Sequence, residues 1–268
     1  MPPWGNFAFL EPSCLFFLLV GATLFYAGGC TLNDAFDAEF DRRYNEERPL
    51  PSGRISQEAV WALGLLELAV GGGILVFGAA CSLKWVLLLS FSVLAYDYLH
   101  KRWQGSFLLM GACRYFLWLC AATAGSAERI AGQTWVWGIC LALYVMGITL
   151  FARGESKKRK MPSQIAIVFL FAPPLLALAG ITLWHQIDPI RQTMINLTGL
   201  LAAWIAFRAI QIIRTPHKGS IGEGVSRLLA GICAIDAVAL SFYLPALVGP
   251  CLCCISLALL LQKRFAAT

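Results

Sequence analysis

The sequence predicts an all-α fold: a polytopic membrane bundle of about nine transmembrane helices, forming one domain over residues 1–268. Three observations predict it. Hydrophobic residues make up 59% of the chain and charged residues only 13%, where a soluble domain carries about 25% charged. The mean hydropathy is +0.69. Apolar runs recur at the length of roughly 20 residues that a helix needs to cross a bilayer. These runs do not alternate polar and apolar as barrel strands do, and a helix satisfies its own backbone in lipid.

The runs fall at about 8–32, 57–80, 85–99, 105–125, 133–152, 163–184, 193–213, 226–243 and 246–262. The first has no basic stretch before it and leads straight into acids, so it reads as a span and not as a signal peptide. A polar loop over about 33–56 follows. Pro49 and Pro51 stop the helix before them and stiffen the turn. Ser56 caps the second span, with Glu58 in its first turn. Pro173 and Pro174 predict a kink in the sixth span. The ten cysteines lie almost all within spans, where they pack as small apolar side chains. Cys251, Cys253 and Cys254 lack partners at zinc spacing.

Charge predicts the orientation. Arg42, Arg43, Arg48, Arg54, Lys101, Arg102, Arg153, the run from Lys157 to Lys160, Arg214, Lys218, Arg227, Lys263 and Arg264 fall on one side of the nine spans. Only Lys84, Arg129 and Arg191 fall on the other. The positive-inside rule makes the first side cytoplasmic, with the N-terminus outside and the C-terminus inside. The net charge of +6 belongs to these loops, so the expected partner is the lipid bilayer with its anionic headgroups and not nucleic acid. Chemistry is expected on the cytoplasmic side, where the long polar loops gather.

The most informative segment closes the first apolar run. Asp34, Asp37 and Asp41 stand at i, i+3 and i+7, a spacing that places them on one helix face. Like charges so arranged repel unless something positive lies between them. One reading is a solvated acidic helix end balanced by Arg42 and Arg43. The other is capture of a diphosphate through a pair of Mg2+ ions, since hard dications take carboxylate and phosphate oxygens. The shared face, the continuation of a span and the arginine-bearing loop that follows favour the second reading. Guanidinium groups suit the diphosphate oxygens that the metal leaves over.

The motif Asn33, Asp34, Asp37, Asp41, followed by Arg48-Pro49-Leu50-Pro51-Ser52-Gly53-Arg54-Ile55-Ser56, resembles the first signature of the UbiA family of intramembrane prenyltransferases. Within it the chain is most similar to the UbiA-like proteins called EboC, through Tyr26-Ala27-Gly28-Gly29, Met110-Gly111-Ala112-Cys113-Arg114 and Arg153-Gly154-Glu155. The resemblance implies a helical bundle open laterally to lipid, in the bacterial plasma (inner) membrane. It implies transfer of a prenyl group from a Mg2+-bound polyprenyl diphosphate to a hydrophobic, often aromatic, acceptor. By the same analogy Asp34, Asp37 and Asp41 bind Mg2+, Asn33 lies beside the metals and Arg48 lies near the diphosphate.

The chain departs from the family pattern in three places. The second acidic motif is replaced by Thr149 to Lys160, whose single acid is Glu155 and whose first base is Arg153. Glu155 is then expected to act with Asp34 and Asp37, and Arg153 to help neutralise the diphosphate. The family's Tyr-x-x-x-Lys signature is matched imperfectly by Tyr96 to Arg102, where Lys101 or Arg102 supplies the base. The family usually has a whole helix before the one that enters the Asn-Asp motif, whereas about 30 residues precede it here. A missing first helix would open one wall of the bundle and remove an acceptor-side asparagine; a misassigned start is the simple alternative. Among charges within spans, Arg114 is expected to face the cavity and contact diphosphate or Glu155, while Glu67 and Asp236 are expected to be structural. No histidine is assigned a role. The alternative is a non-catalytic membrane protein that binds or transports a secondary-metabolite precursor.

Overall fold

The computed structural model describes residues 11–125, 130–157, 163–183, 187–215, 217 and 219–262, with side chains except at 154–157, 163 and 181–183. Nine α-helices, and no strand, are present among the described residues. They are α1 (Pro12–Tyr44), α2 (Gln57–Gly73), α3 (Leu83–Leu99), α4 (Phe107–Ala122), α5 (Gly132–Lys157), α6 (Ser163–Leu183), α7 (Pro189–Arg214), α8 (Ser220–Tyr243) and α9 (Val248–Gln262). Seven helical stretches are long and apolar enough to cross a membrane; α3 and the apolar part of α6 are shorter. Large apolar side chains such as Phe16, Leu19, Leu66, Phe77, Phe91 and Leu200 stand exposed, as lipid-facing residues do.

The helix starts follow local chemistry. Pro12 opens α1, where its missing N–H costs nothing. Ser56 accepts from the Ala59 backbone N–H at 3.2 Å and caps α2, with Glu58 in the first turn. Asp188 caps α7 in the same way through the Arg191 N–H at 3.0 Å. At its far end α2 passes into a π-helical turn over Ile74–Gly78, which the apolar pattern does not reveal. Pro173 and Pro174 lie inside α6.

The chain divides into two compact units, Met1–Gly138 and Ile139–Thr268, the division falling within α5. The first unit packs α1, α2, α3 and α4 around Phe25, Leu32, Leu68, Leu75, Val86, Leu89 and Cys120. Helices α1 and α2 meet at backbone contact. A Cβ built on Gly28 lies 2.8 Å from the Leu68 nitrogen, and one on Gly71 lies 2.7 Å from the Phe25 nitrogen. Membrane helices approach this closely only through small residues. Gly71→Val is therefore expected to push the helices apart and cost about 1–3 kcal/mol. Thermal unfolding in detergent checks this.

In the second unit α7 and α8 pack through Ala202, Ala206, Ala209, Gly231 and Ala234. Fully buried Tyr144 donates its hydroxyl to the Leu228 carbonyl at 3.1 Å. The cysteines of both units are free thiols. Burial pushes the Cys81 thiol, in the turn before α3, up to about 12, so it packs and does not react.

Candidate active site

Helix α1 has 33 residues, about 50 Å at 1.5 Å per residue, and so outruns the ~30 Å hydrocarbon core. Its excess length carries Asn33, Asp34, Asp37 and Asp41 beyond the apolar run as continuous helix. The polar loop accordingly starts at Asn45 rather than near residue 33. Around the helix Asp41 lies only about 20° from Asp34, and Asp37 about 60° from it. The structure separates the acids along that line into two groups.

Asp34 and Asp41 share one cation. Arg48 Nη1 lies 3.3 Å from Asp34 Oδ1 and 2.9 Å from Asp41 Oδ2. Asp41 is buried, and its other oxygen accepts from Asn45 Nδ2 at 2.7 Å. Arg48 returns to the helix because the loop folds on itself. Its N–H donates to the Asn45 carbonyl at 3.1 Å, and its own carbonyl accepts from the Ser52 N–H at 3.0 Å. Gly53 takes the positive φ of 74° that the turn requires. Pro49 and Pro51 thus shape this turn, whereas α1 itself ends five residues before Pro49.

Asp37 faces the C-terminal end of α3. Lys101 Nζ lies 2.8 Å and His100 Nε2 3.3 Å from Asp37 Oδ2. Both ring nitrogens of His100 face oxygen, since Nδ1 is 3.0 Å from the Asp97 carbonyl. Lys101 also sits 3.6 Å above the Phe40 ring, which shields the ion pair on one side. One turn away, Asn33 Nδ2 donates to Asp97 Oδ1 at 3.1 Å. Two rungs therefore join α1 to α3 and the turn just after it, Asn33 to Asp97 and Asp37 to Lys101, four residues apart on each side.

The remaining candidate residues fall elsewhere. Arg102 places its guanidinium 4.4 Å over the Tyr98 ring. Arg42 donates to Gln57, and Arg43 pairs with Glu39, so neither balances the acidic face. Arg114 is half-buried on α4 of the first unit. Arg153 and Glu155 lie on the last turns of α5, in the second unit, because the helix runs to Lys157. The Glu155 side chain, and its expected contact with Arg114, lie outside the described residues. Glu67 accepts from the Thr31 hydroxyl at 2.8 Å within the α1–α2 contact, a structural hydrogen bond. The sequence pattern assigns His100 no role; its position one residue before Lys101 and three after Asp97 is the signal that marks it.

Among the described residues no three His, Cys, Asp or Glu side chains converge as a ready ligand set. The donor chemistry suits a hard dication all the same. The acids offer only oxygen, and a cationic nitrogen already stands between two of their carboxylates. A dication between Asp34 and Asp41 would take the place that Arg48 Nη1 holds, and free the guanidinium for a second anion. Asp34 is exposed and its contact is the longer of the two, so that side opens more easily.

A stretch of 59 residues is 42% identical to a protoheme IX farnesyltransferase of Alkalihalophilus pseudofirmus, covering 21% of this chain and 19% of that protein. A stretch of 74 residues is 45% identical to a digeranylgeranylglyceryl phosphate synthase of Ignicoccus hospitalis, covering 25% and 23%. A synthase of the same name from Sulfolobus acidocaldarius is 45% identical over 58 residues, 21% of each chain. The matches thus span about a fifth of the length of these curated relatives. No solved structure matches the chain. The pattern of one family runs through residues 4–265, and the chain belongs to the UbiA prenyltransferase family.

Proposed function

We propose that this integral membrane protein transfers a prenyl group from a Mg2+-bound polyprenyl diphosphate to a hydrophobic acceptor. The observation that carries the reading is the end of the first unit, where three carboxylates on one helix meet Arg48, Lys101 and His100. Acids without bases would hold metal but repel diphosphate. Bases without acids would hold any phosphate. The two together suit a metal–diphosphate pair.

In this reading Asp34, Asp37 and Asp41 would hold Mg2+, with the Asn33 amide oxygen as a further donor. Bound there, Mg2+ supplies positive charge to the departing diphosphate. Arg48, released from Asp34, turns to the diphosphate oxygens, and Lys101 adds a second positive charge from the α3 side. The allylic C–O bond breaks with its electron pair leaving on the diphosphate, and the acceptor forms the new bond to the same carbon and gives up its proton to the released diphosphate or water. By the family resemblance, Arg102, Arg114 and Arg153 are proposed as further diphosphate contacts, and Glu155 as a further acid. The cytoplasmic side is the proposed location, since the basic loops gather there. The relatives' names, a protoheme IX farnesyltransferase and a digeranylgeranylglyceryl phosphate synthase, set the acceptor panel: protoheme IX, a prenylglyceryl phosphate and, as an aromatic acceptor, a phenolic acid.

The test is a Mg2+-dependent turnover assay with geranyl, farnesyl and geranylgeranyl diphosphates and that panel. Wild type is expected to prenylate one acceptor, and Asp34→Ala and Glu155→Ala to lower the rate by about 100-fold and about 10-fold. Binding of diphosphate without transfer to any acceptor would leave a carrier protein as the better reading.

A further inference from the structure

Asp97 is buried on α3, with 5% of its surface exposed. Its Oδ1 accepts from Asn33, and its Oδ2 meets no hydrogen-bond donor. A buried carboxyl oxygen left without a partner is costly, and such groups are few in folded proteins. Neither of the two nearest bases along the chain hydrogen-bonds that oxygen: Lys101 turns to Asp37, and His100 turns Nε2 to Asp37 and Nδ1 to the Asp97 backbone carbonyl. The carboxyl of Asp97 is thus kept for the Asn33 amide.

The consequence lies in the polarity of that amide. A primary amide has a donor end and an acceptor end, and a carboxylate oxygen only accepts. Asp97 therefore captures the NH2 end of Asn33 and leaves the carbonyl Oδ1 directed away from itself. Asn33 stands within one helical turn of Asp34 and Asp37. We infer that Asp97 is a positioning residue: it fixes the Asn33 amide so that its oxygen, and not its nitrogen, is presented on the metal-binding side of α1. Residues that orient a ligand in this way typically contribute 10- to 100-fold to metal affinity, roughly. This role rests on the proposed function, because it needs a metal at the acidic face.

The test uses the full chain in detergent with farnesyl diphosphate, and follows Mn2+ uptake by electron paramagnetic resonance, a readout independent of turnover. Four proteins form a cycle: wild type, Asn33→Ala, Asp97→Asn, and the two substitutions together. An asparagine at 97 can accept or donate, so the Asn33 amide loses its fixed sense while the volume is kept. Asp97→Asn is expected to weaken Mn2+ binding about 10-fold. The double variant is expected to bind no more weakly than Asn33→Ala alone, because Asp97 acts only through Asn33. Thermal unfolding of each variant separates misfolding from the effect sought, and Asp97→Glu serves as the second variant if Asp97→Asn does not fold. Unchanged Mn2+ binding in a folded Asp97 variant, or effects that multiply in the double variant, overturn the role. A wild-type chain that takes up no Mn2+ with the diphosphate overturns the proposed function itself, and this role with it.

Discussion

Asp37→Ala is expected to lower prenyl transfer by about 100-fold or more, the largest loss from any single acid at the site. Asp37 is the acid held directly by His100 and Lys101, just past the end of α3, and its side chain is only 9% exposed. Its removal deletes an oxygen donor and leaves Lys101 and His100 facing one another without the anion between them. Two causes then mix, lost chemistry and lost packing of charge. Asp37→Asn separates them. It keeps the volume and one acceptor for Lys101, so its unfolding temperature is expected to stay close to wild type. Mg2+-dependent diphosphate binding is expected to fall as far as in the alanine variant, because a neutral amide is a poor partner for a hard dication. Recovered binding in Asp37→Asn would make the residue structural.

Arg48→Ala is expected to move two affinities in opposite directions. The diphosphate should bind roughly 10- to 100-fold more weakly, the worth of one or two charge-assisted hydrogen bonds. Mg2+ alone should bind more tightly than in wild type. Arg48 Nη1 sits between Asp34 and Asp41, so it competes with a dication for the same two carboxylates. Removing it leaves the pair repelling, and a metal relieves that repulsion. The check is a pair of titrations, Mg2+ without diphosphate and diphosphate at saturating Mg2+. A fall in both affinities would mean that Arg48 holds the loop in shape and does not trade places with the metal.

Much of this was legible in the sequence, for reasons that particular residues make plain. Among the described residues the nine apolar runs appear as nine helices, seven helical stretches being long and apolar enough to span, because hydrophobic length is nearly all that a membrane span needs. Ser56 was readable as a cap because its hydroxyl acts within its own turn. The shared face of Asp34 and Asp41 follows from helix geometry alone. The partners of those acids were only half readable. Arg42 and Arg43 are nearest in sequence, yet the helix turns them toward Gln57 and Glu39. His100 and Asp97 come from a helix more than fifty residues on, and no local pattern links them to Asn33 and Asp37. Helix α1 also runs about twelve residues past the expected span end, since nothing in its acids breaks a helix before Asn45. The π-turn at Ile74–Gly78 leaves no trace in composition.

The central claim is that the α1 acids bind a prenyl diphosphate through Mg2+. Equilibrium binding of radiolabelled farnesyl diphosphate to the detergent-purified chain, with Mg2+ and then with a chelator, tests it most directly. The account predicts saturable binding that needs Mg2+ and is lost in both Asp34→Ala and Asp37→Ala. Binding of equal strength in the presence of chelator, or binding retained in both variants, would contradict it.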